Sequence, residues 1–287
     1  MSPESFGARL AAAMAALGPL CVGIDPHPSL LAAWGLPDDP GGLRSFALTT
    51  LDAVAGTVPA VKPQAAFFER HGSAGVAVLE EVVAAGRERG LLVVVDAKRG
   101  DIGSTMAAYA DAFLRDGAPL AGDALTVSPY LGFGSLEPAV TAARESGRGL
   151  FVLALTSNPE GASVQHARSA DGTPVAVAVA REAAARNAAE RQLSGARLGS
   201  VGLVVGATVG AAVARLGLDL AAVGGPLLAP GVGAQGAGAD ELAQVFGDAR
   251  DAVLAASSRG VLVAGPEPAA LRSAAARARD EAARALR

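Results

Sequence analysis

Eight short apolar runs recur along the 287-residue chain, separated by longer stretches with helical character. The runs are PLCVGI, VPAVKP, LLVVVDA, DALTV, LFVLAL, VGLVVGA, PLLAP and DAVLAASS, beginning near residues 19, 58, 91, 123, 150, 201, 226 and 251. Because several are continuously apolar, they are typical of strands buried on both faces of a parallel sheet. Segments 73–90 and 173–192 between them carry the apolar stripe of amphipathic helices. This alternation predicts a parallel α/β fold.

Eight strands with helices between them suit a closed (β/α)8 TIM barrel of about 250 residues, with an extra helix at the amino end. No linker, repeat or low-complexity tract divides the sequence, so residues 1–287 are expected to form a single domain. A doubly wound open sheet is the alternative architecture. In a barrel, the active site is expected at the carboxyl ends of the strands.

Composition limits the possible partners. The net charge is −4, and no block of Lys and Arg offers the clustered cations that a nucleic-acid surface needs. No apolar stretch reaches the roughly 18 to 20 residues of a membrane span, and the amino-terminal segment lacks the basic start of a signal peptide. Cys21 is the single cysteine, which excludes an intrachain disulfide and favours a reducing compartment. We therefore expect a cytoplasmic protein that binds neither nucleic acid nor membrane.

Lysine occurs only twice, at Lys62 and Lys98, although Lys and Arg together number 24. Arginine has evidently replaced lysine wherever a generic surface cation suffices. Arginine cannot lose its proton near neutral pH, whereas the ammonium group of lysine can be tuned to donate one. The two remaining lysines are therefore candidate catalytic residues, with chance survival as the alternative.

Polar residues fall at the predicted carboxyl ends of the strands. They are Asp25, Lys62, Asp96, Lys98, Ser157, Gln235 and Arg259. Asp96 and Lys98 lie two residues apart, so their side chains point to the same side of a strand. Asp101 would lie about 16 Å beyond Asp96 in an extended chain, so it must fold back or serve a neighbouring subunit.

The charged residues form an array of alternating sign around Lys98. A carboxylate held beside a substrate carboxylate disfavours the ground state, while an adjacent ammonium can stabilise and then protonate a carbanion left by departing CO2. The array therefore favours a decarboxylase, although a structural salt bridge at the strand end is the simpler alternative. Arg99, between these residues, is expected to be a solvent-facing cation.

A GxGxxG motif at Gly231, Gly233 and Gly236 follows the seventh strand. A dinucleotide site is not favoured, because too little chain follows to complete a βαβ half-domain. In a barrel, the loops after strands seven and eight instead bind phosphate, and Arg259 is placed to make a bidentate contact.

The segments GIDP, KPQAAFFERHG, DAKRGDI, TSNPEG and APGVGAQG resemble those of the orotidine 5'-phosphate decarboxylases, particularly a longer bacterial branch. The resemblance extends over nearly the whole chain. It implies decarboxylation of orotidine 5'-phosphate to uridine 5'-phosphate (UMP) and CO2, the last step of UMP synthesis. It also implies a homodimer with shared active sites and no metal or organic cofactor.

The resemblance assigns roles residue by residue. Lys98 would protonate C6 of the pyrimidine, Asp96 would lie beside the departing carboxylate, and Lys62 would hold the charge network and touch the ribose. Asp25 would bind a ribose hydroxyl. Asp101, Ile102 and Thr105 would enter the partner's site, and Ser157 would hydrogen-bond the pyrimidine. Gln235 and Arg259 would bind the phosphate, with Pro230 nearby.

Two departures and two alternative functions stay open. Ser258 stands where many family members have glycine, and Thr156 or Asn158 could contact the pyrimidine instead of Ser157. The DxKxxD pattern also permits a metal-dependent sugar-phosphate decarboxylase or aldolase, although the three histidines share no metal-ligand spacing. A non-catalytic phosphate-ligand binder is the remaining alternative.

Overall fold

A computed structural model describes residues 3–232 and 239–287 of the chain. Its eight parallel strands close into a barrel in sequential order, with β8 pairing back onto β1. The strands are β1 Leu20–Ile24, β2 Ala60–Pro63, β3 Leu92–Arg99, β4 Ala124–Val127, β5 Gly149–Leu155, β6 Val201–Val205, β7 Leu227–Pro230 and β8 Val253–Ser257. The TIM-barrel prediction is confirmed, because this closure excludes an open sheet, and each predicted run begins within two residues of its strand.

Helices surround the barrel. They are α1 Phe6–Leu17, α2 Pro28–Ala33, α3 Pro40–Val54, α4 Ala65–Glu69, α5 Gly72–Glu88, α6 Gly103–Leu114, α7 Glu137–Glu145, α8 Ala162–Gln165, α9 Val175–Ser194, α10 Gly210–Leu216, α11 Ala239–Phe246, α12 Arg259–Leu262 and α13 Pro268–Ala285. Short 3₁₀ helices span Phe133–Leu136, Pro159–Gly161, Ala221–Val223 and Gly247–Ala252. In the described residues, no helix combines the length and apolar character required to cross a bilayer.

The alternation of side chains along each strand divides the core into two layers. On β3, Val93 and Val95 pack outward against the helices, whereas Val94 points into the barrel. Both layers are apolar, which is why the strands read as continuous apolar runs rather than alternating ones. The polar side chains of Lys62, Asp96 and Thr126 lie at the carboxyl end of the barrel, where they line a cavity.

The predicted amino-terminal helix α1 closes the opposite end of the barrel. Phe6, Leu10 and Met14 belong to the interior apolar cluster, and the Phe6 ring meets the Phe151 ring edge to face at 5.9 Å. Arg9 adds an ion pair at 2.5 Å to Asp123, which precedes β4. Helix α1 therefore seals the bottom of the barrel and supports the interior layer beneath the site.

The end of β3 departs from regular strand geometry. Val95 pairs with Leu125 and Arg99 pairs with Val127, so four steps along β3 match two along β4. Within this bulge, Lys98 has φ +46°, the one positive value among the described non-glycine residues. Such conformations carry strain and persist only where surrounding contacts hold them.

Candidate active site

A cavity of about 370 Å³ opens at the carboxyl ends of the strands. All eight strands or the loops that follow them contribute residues that line it: Asp25, His27, Lys62, Asp96, Lys98, Thr126, Leu153, Thr156, Ser157, Asn158, Val204, Gly206, Leu228, Pro230, Gly231, Ala256, Ser257, Ser258 and Arg259. The predicted strand-end residues Asp25, Lys62, Asp96, Lys98 and Ser157 are thus brought together in one cavity.

The Asp96 carboxylate lies between the two lysines of the chain. Lys62 Nζ donates to Oδ2 at 2.6 Å, and Lys98 Nζ donates to Oδ1 at 2.5 Å. The Lys62 and Asp96 side chains are buried, whereas Lys98 is 44% exposed. Lys98 is therefore the ammonium that a ligand in the cavity can reach directly.

Burial and charge act in opposite directions on this array. Burial favours the neutral acid at Asp96, but Lys62 and Lys98 outweigh it and lower the pKa of Asp96 to about 2. Burial likewise opposes the charge on Lys62, yet Asp96 and Asp25 prevail and raise the pKa of its ammonium. Near neutral pH, Asp96 is an anion and Lys62 a cation, so the array keeps its alternating charges.

Two neutral residues that the sequence patterns did not single out, Thr126 and Gln64, complete the hydrogen bonding of Asp96. Thr126 Oγ1 lies 2.8 Å from Oδ1. The Gln64 amide presents its nitrogen, 3.1 Å from Oδ2 and 2.6 Å from the Asp96 carbonyl oxygen, because the opposite orientation would set oxygen against two acceptors. Gln64 lies two residues after Lys62, so the period of a strand could have identified it.

Asp25 carries an unused acceptor. Its Oδ1 atom is buried and finds no hydrogen-bond partner within residues 3–232 and 239–287. A buried carboxylate oxygen without a donor is costly, so this atom suits a ligand that brings its own hydroxyl group. Asp25 stays a candidate for the ribose-hydroxyl contact that the family resemblance implies.

In the loop after β5, the side chains on either side of Ser157 are hydrogen-bonded within the loop. Thr156 Oγ1 donates to Asn158 Oδ1 at 2.6 Å, and Gln165 hydrogen-bonds both the backbone nitrogen and the hydroxyl of Thr156. Asn158 in turn donates to Glu160. The side chains of Thr156 and Asn158 are thus committed to the loop, which favours Ser157 as the residue that contacts a ligand.

The loops after β7 and β8 hold the residues that the sequence placed near a phosphate. Pro230, Gly231 and the exposed Arg259 line the cavity, and Ser258 packs against Gly23, where an added Cβ would lie 1.9 Å from Ser258 Oγ. Gln235, like Gly233 and Gly236, lies outside the described residues.

The residues expected to serve a partner lie away from this cavity. Asp101, Ile102 and Thr105 do not line it; Asp101 Oδ1 accepts from the Ile102 backbone nitrogen at 2.8 Å, and the Ile102 side chain points outward with 62% exposure. The loop after β3 therefore does not fold back into the site of its own chain.

The expectation of a solvent-facing Arg99 is wrong. Its guanidinium forms an ion pair with Glu69 of α4 and lies 5.5 Å from the ring centroids of both Tyr109 and Phe113 on α6. These contacts bury most of the side chain because the bulge turns Arg99 outward beneath α6. Arg99 thus anchors the bulge to the surrounding helices.

Known proteins resemble this chain over nearly its whole length. The family model described as "Orotidine 5'-phosphate decarboxylase / HUMPS family" matches residues 18–274. An orotidine 5'-phosphate decarboxylase of Salinispora arenicola is 61% identical over 274 residues, covering 96% of this chain and 95% of the relative. One from Streptomyces coelicolor is 59% identical over 278 residues, covering 96% and 95%.

Solved structures give the same result. A crystal structure of a Streptomyces avermitilis protein, assigned as an orotidine 5'-phosphate decarboxylase, superposes with a TM-score of 0.93 at 60% identity and covers 100% of this chain and 97% of that one. The OMP decarboxylase of Leishmania donovani superposes with a TM-score of 0.75 at 30% identity, covering 98% and 99%. The similarity therefore extends over the whole barrel.

Proposed function

The chain belongs to the orotidine 5'-phosphate decarboxylase family and is a carboxy-lyase that converts orotidine 5'-phosphate to UMP, and from this premise we propose that its Lys62–Asp96–Lys98 array performs the chemistry. The observation that carries the proposal is the ionised, buried Asp96 held between the two lysines at the mouth of the barrel. A metal-dependent sugar-phosphate enzyme is not favoured, since the high-identity relatives are orotidine 5'-phosphate decarboxylases.

The cavity can hold the nucleotide along its length. Arg259 supplies a guanidinium for the phosphate at one wall, and Gln235 is the second phosphate residue that the family implies. The free Oδ1 of Asp25 accepts from a ribose hydroxyl, with Lys62 beside it. Ser157 and Pro230 then contact the pyrimidine. This arrangement directs the substrate carboxylate toward Asp96 and Lys98.

The reaction breaks the bond between C6 and the carboxylate carbon. The electron pair of that bond stays on C6 while CO2 departs, and the Lys98 ammonium stabilises the resulting carbanion. Lys98 Nζ then transfers a proton to C6, forming the C–H bond of UMP, and recovers a proton from water. The net reaction consumes one proton and releases one CO2.

Asp96 contributes through its charge. The two lysines keep it ionised near neutral pH, so it repels a substrate carboxylate placed beside it and holds Lys98 in position. Stabilisation of the developing carbanion by Lys98 supplies the larger part of the rate acceleration, because it acts only in the transition state. Repulsion in the ground state supplies the smaller part.

A second copy of the chain would complete the site. Asp101, Ile102 and Thr105 face away from their own cavity, and the exposed Tyr130 and Leu131 follow β4, whose end pairs with the end of β3. Apolar side chains with 76% and 53% exposure suit an interface. A homodimer would cover them and place Asp101 in the partner's site.

The free thiol of Cys21 fits a reducing compartment, so we assign the enzyme to the cytoplasm.

A spectrophotometric assay on orotidine 5'-phosphate tests the proposal. Purified protein should form UMP at the same rate with and without EDTA. Loss of turnover on chelation would favour the metal-dependent alternative, and tight UMP binding by folded protein without turnover would favour the non-catalytic binder.

A further inference from the structure

We propose that Thr126 is a positioning residue of this reaction, whose hydroxyl ties the Lys98 backbone to the Asp96 carboxylate and so fixes the direction of the Lys98 ammonium. The inference rests on the proposed function, since it assigns Thr126 a role in orienting the group that protonates C6. Thr126 lies on β4, the strand beside the bulge of β3.

The first support is the strained backbone at Lys98. The bulge removes residues 96–98 from the regular ladder between Val95 and Arg99, so Lys98 needs another acceptor for its backbone N–H. Thr126 Oγ1 accepts that N–H at 2.9 Å. The hydroxyl therefore replaces a missing ladder contact at the residue whose φ is +46°.

The second support is the direction of the hydroxyl proton. Because Thr126 Oγ1 already accepts from the Lys98 backbone, its single proton is free to be donated to Asp96 Oδ1 at 2.8 Å. The same oxygen accepts from Lys98 Nζ at 2.5 Å. Asp96 Oδ1 thus holds Lys98 at two points. Its link to the Lys98 backbone runs through the Thr126 hydroxyl, and its link to the Lys98 ammonium is direct.

The third support is the location of Thr126. It is 1% exposed, lies two residues beyond Ala124 of the interior apolar cluster, and lines the cavity. A valine would fill the same space, but it would leave the Lys98 N–H without its acceptor and Asp96 without one donor. The hydroxyl group, rather than the volume, is what this position requires.

Three variants separate positioning from packing. Thr126→Val removes the hydroxyl, and Thr126→Ser retains it. Thr50→Val removes a similarly buried hydroxyl that donates to Phe46 O within α3. We expect Thr126→Val to lower kcat about 100-fold, because misplacing a catalytic group has effects of that order. Its dissociation constant for UMP should stay within about threefold, and Thr126→Ser and Thr50→Val should keep kcat within about threefold.

A second readout does not depend on turnover. The chain has two lysines, so labelling lysine with ¹³C at Cε and ¹⁵N at Nζ gives two side-chain signals, both from the site. The Lys98 signal, identified by its absence in Lys98→Arg, should shift or split in Thr126→Val and stay unchanged in Thr126→Ser and Thr50→Val.

The two measurements distinguish the possible failures. A wild-type protein that binds UMP without decarboxylating the substrate would reject the proposed function, while the lysine signals would still test the contact. The positioning role is overturned if Thr126→Val keeps kcat within threefold, if Thr126→Ser loses as much as Thr126→Val, or if turnover falls while the Lys98 signal stays unchanged.

Discussion

Gly149 at the start of β5 and Phe6 of α1 fit against each other so closely that a Cβ on Gly149 would lie 2.1 Å from Phe6 Cδ1. The Phe6 ring is fully buried and also contacts Phe151, so it cannot move aside as a flexible surface side chain would. The absence of a side chain at residue 149 is therefore what lets α1 close the bottom of the barrel.

The Phe6–Gly149 contact predicts coupled effects on stability. Phe6→Ala should lower the free energy of unfolding by about 3 to 5 kcal/mol, because it leaves a cavity under the barrel. Gly149→Ala should cost about 1 to 3 kcal/mol by overpacking, and the double variant should lose less than the sum, since the cavity accepts the new methyl group. Urea denaturation measures all three. Gly134→Ala, where an added Cβ meets nothing within 4 Å, is the control; additive losses would contradict the contact.

Substitution of Lys98 should separate charge from proton donation. Lys98→Ala should lower kcat by at least about 10⁴-fold, and Lys98→Arg should stay severely impaired because a guanidinium retains its proton. Both variants should unfold near the wild-type urea midpoint, since the Lys98 side chain is 44% exposed. An arginine variant with near-normal kcat would contradict the assignment of Lys98 as proton donor.

Lys62→Met provides the contrast to the Lys98 variants, because Lys62 is buried beside Asp96. Removing it leaves a buried carboxylate short of a partner and should cost about 3 kcal/mol of stability. Urea denaturation at pH 7 measures the loss. If Lys62→Met shifts the urea midpoint no more than Lys98→Ala does, burial of the Lys62–Asp96 ion pair does not determine its contribution to stability.

The low pKa of Asp96 predicts a component of acid sensitivity. Because the pKa is about 2 in the folded protein and the ordinary value is 3.8, the stabilisation is complete above about pH 4 and is lost as the pH falls toward 2. This component amounts to about 2 kcal/mol. In Asp96→Asn, the slope of unfolding free energy against pH should become shallower there by about 1 kcal/mol per pH unit at most. Asp52→Asn, at an exposed ion pair, should retain the wild-type slope.

Mixing inactive variants tests whether sites are shared. Lys98→Ala and Asp101→Ala should each be inactive alone, whereas exchanged dimers should regain one intact site per hybrid. Random exchange of equal amounts should restore about a quarter of wild-type activity. Subunit exchange is verified by mass-tagged chains; exchange without recovered activity would place Asp101 in its own subunit's site.

Cys21 should be unreactive in the folded protein. Burial raises the pKa of its thiol to about 12, and its side chain on β1 is inaccessible. At pH 8, modification by a thiol reagent should therefore follow the unfolding rate and accelerate in urea. Labelling of native protein at the rate of free cysteine would contradict its burial.

The sequence by itself determined the barrel and most of the cavity. The strands are local apolar runs whose length and spacing do not depend on the rest of the chain, and parallel closure brings their carboxyl ends together. Asp25, Lys62, Asp96 and Lys98 could therefore be predicted as neighbours from their positions at strand ends, and the family resemblance supplied their roles.

Only the tertiary structure decided the side-chain contacts that depend on the register between neighbouring strands. Thr126 meets Asp96 and Lys98 only because the bulge of β3 shifts its pairing with β4, and no local pattern encodes that shift. The burial of Arg99 against Glu69 has the same origin. Periodicity states which residues share a face of one strand, whereas the contacts between strands follow from how the whole barrel closes.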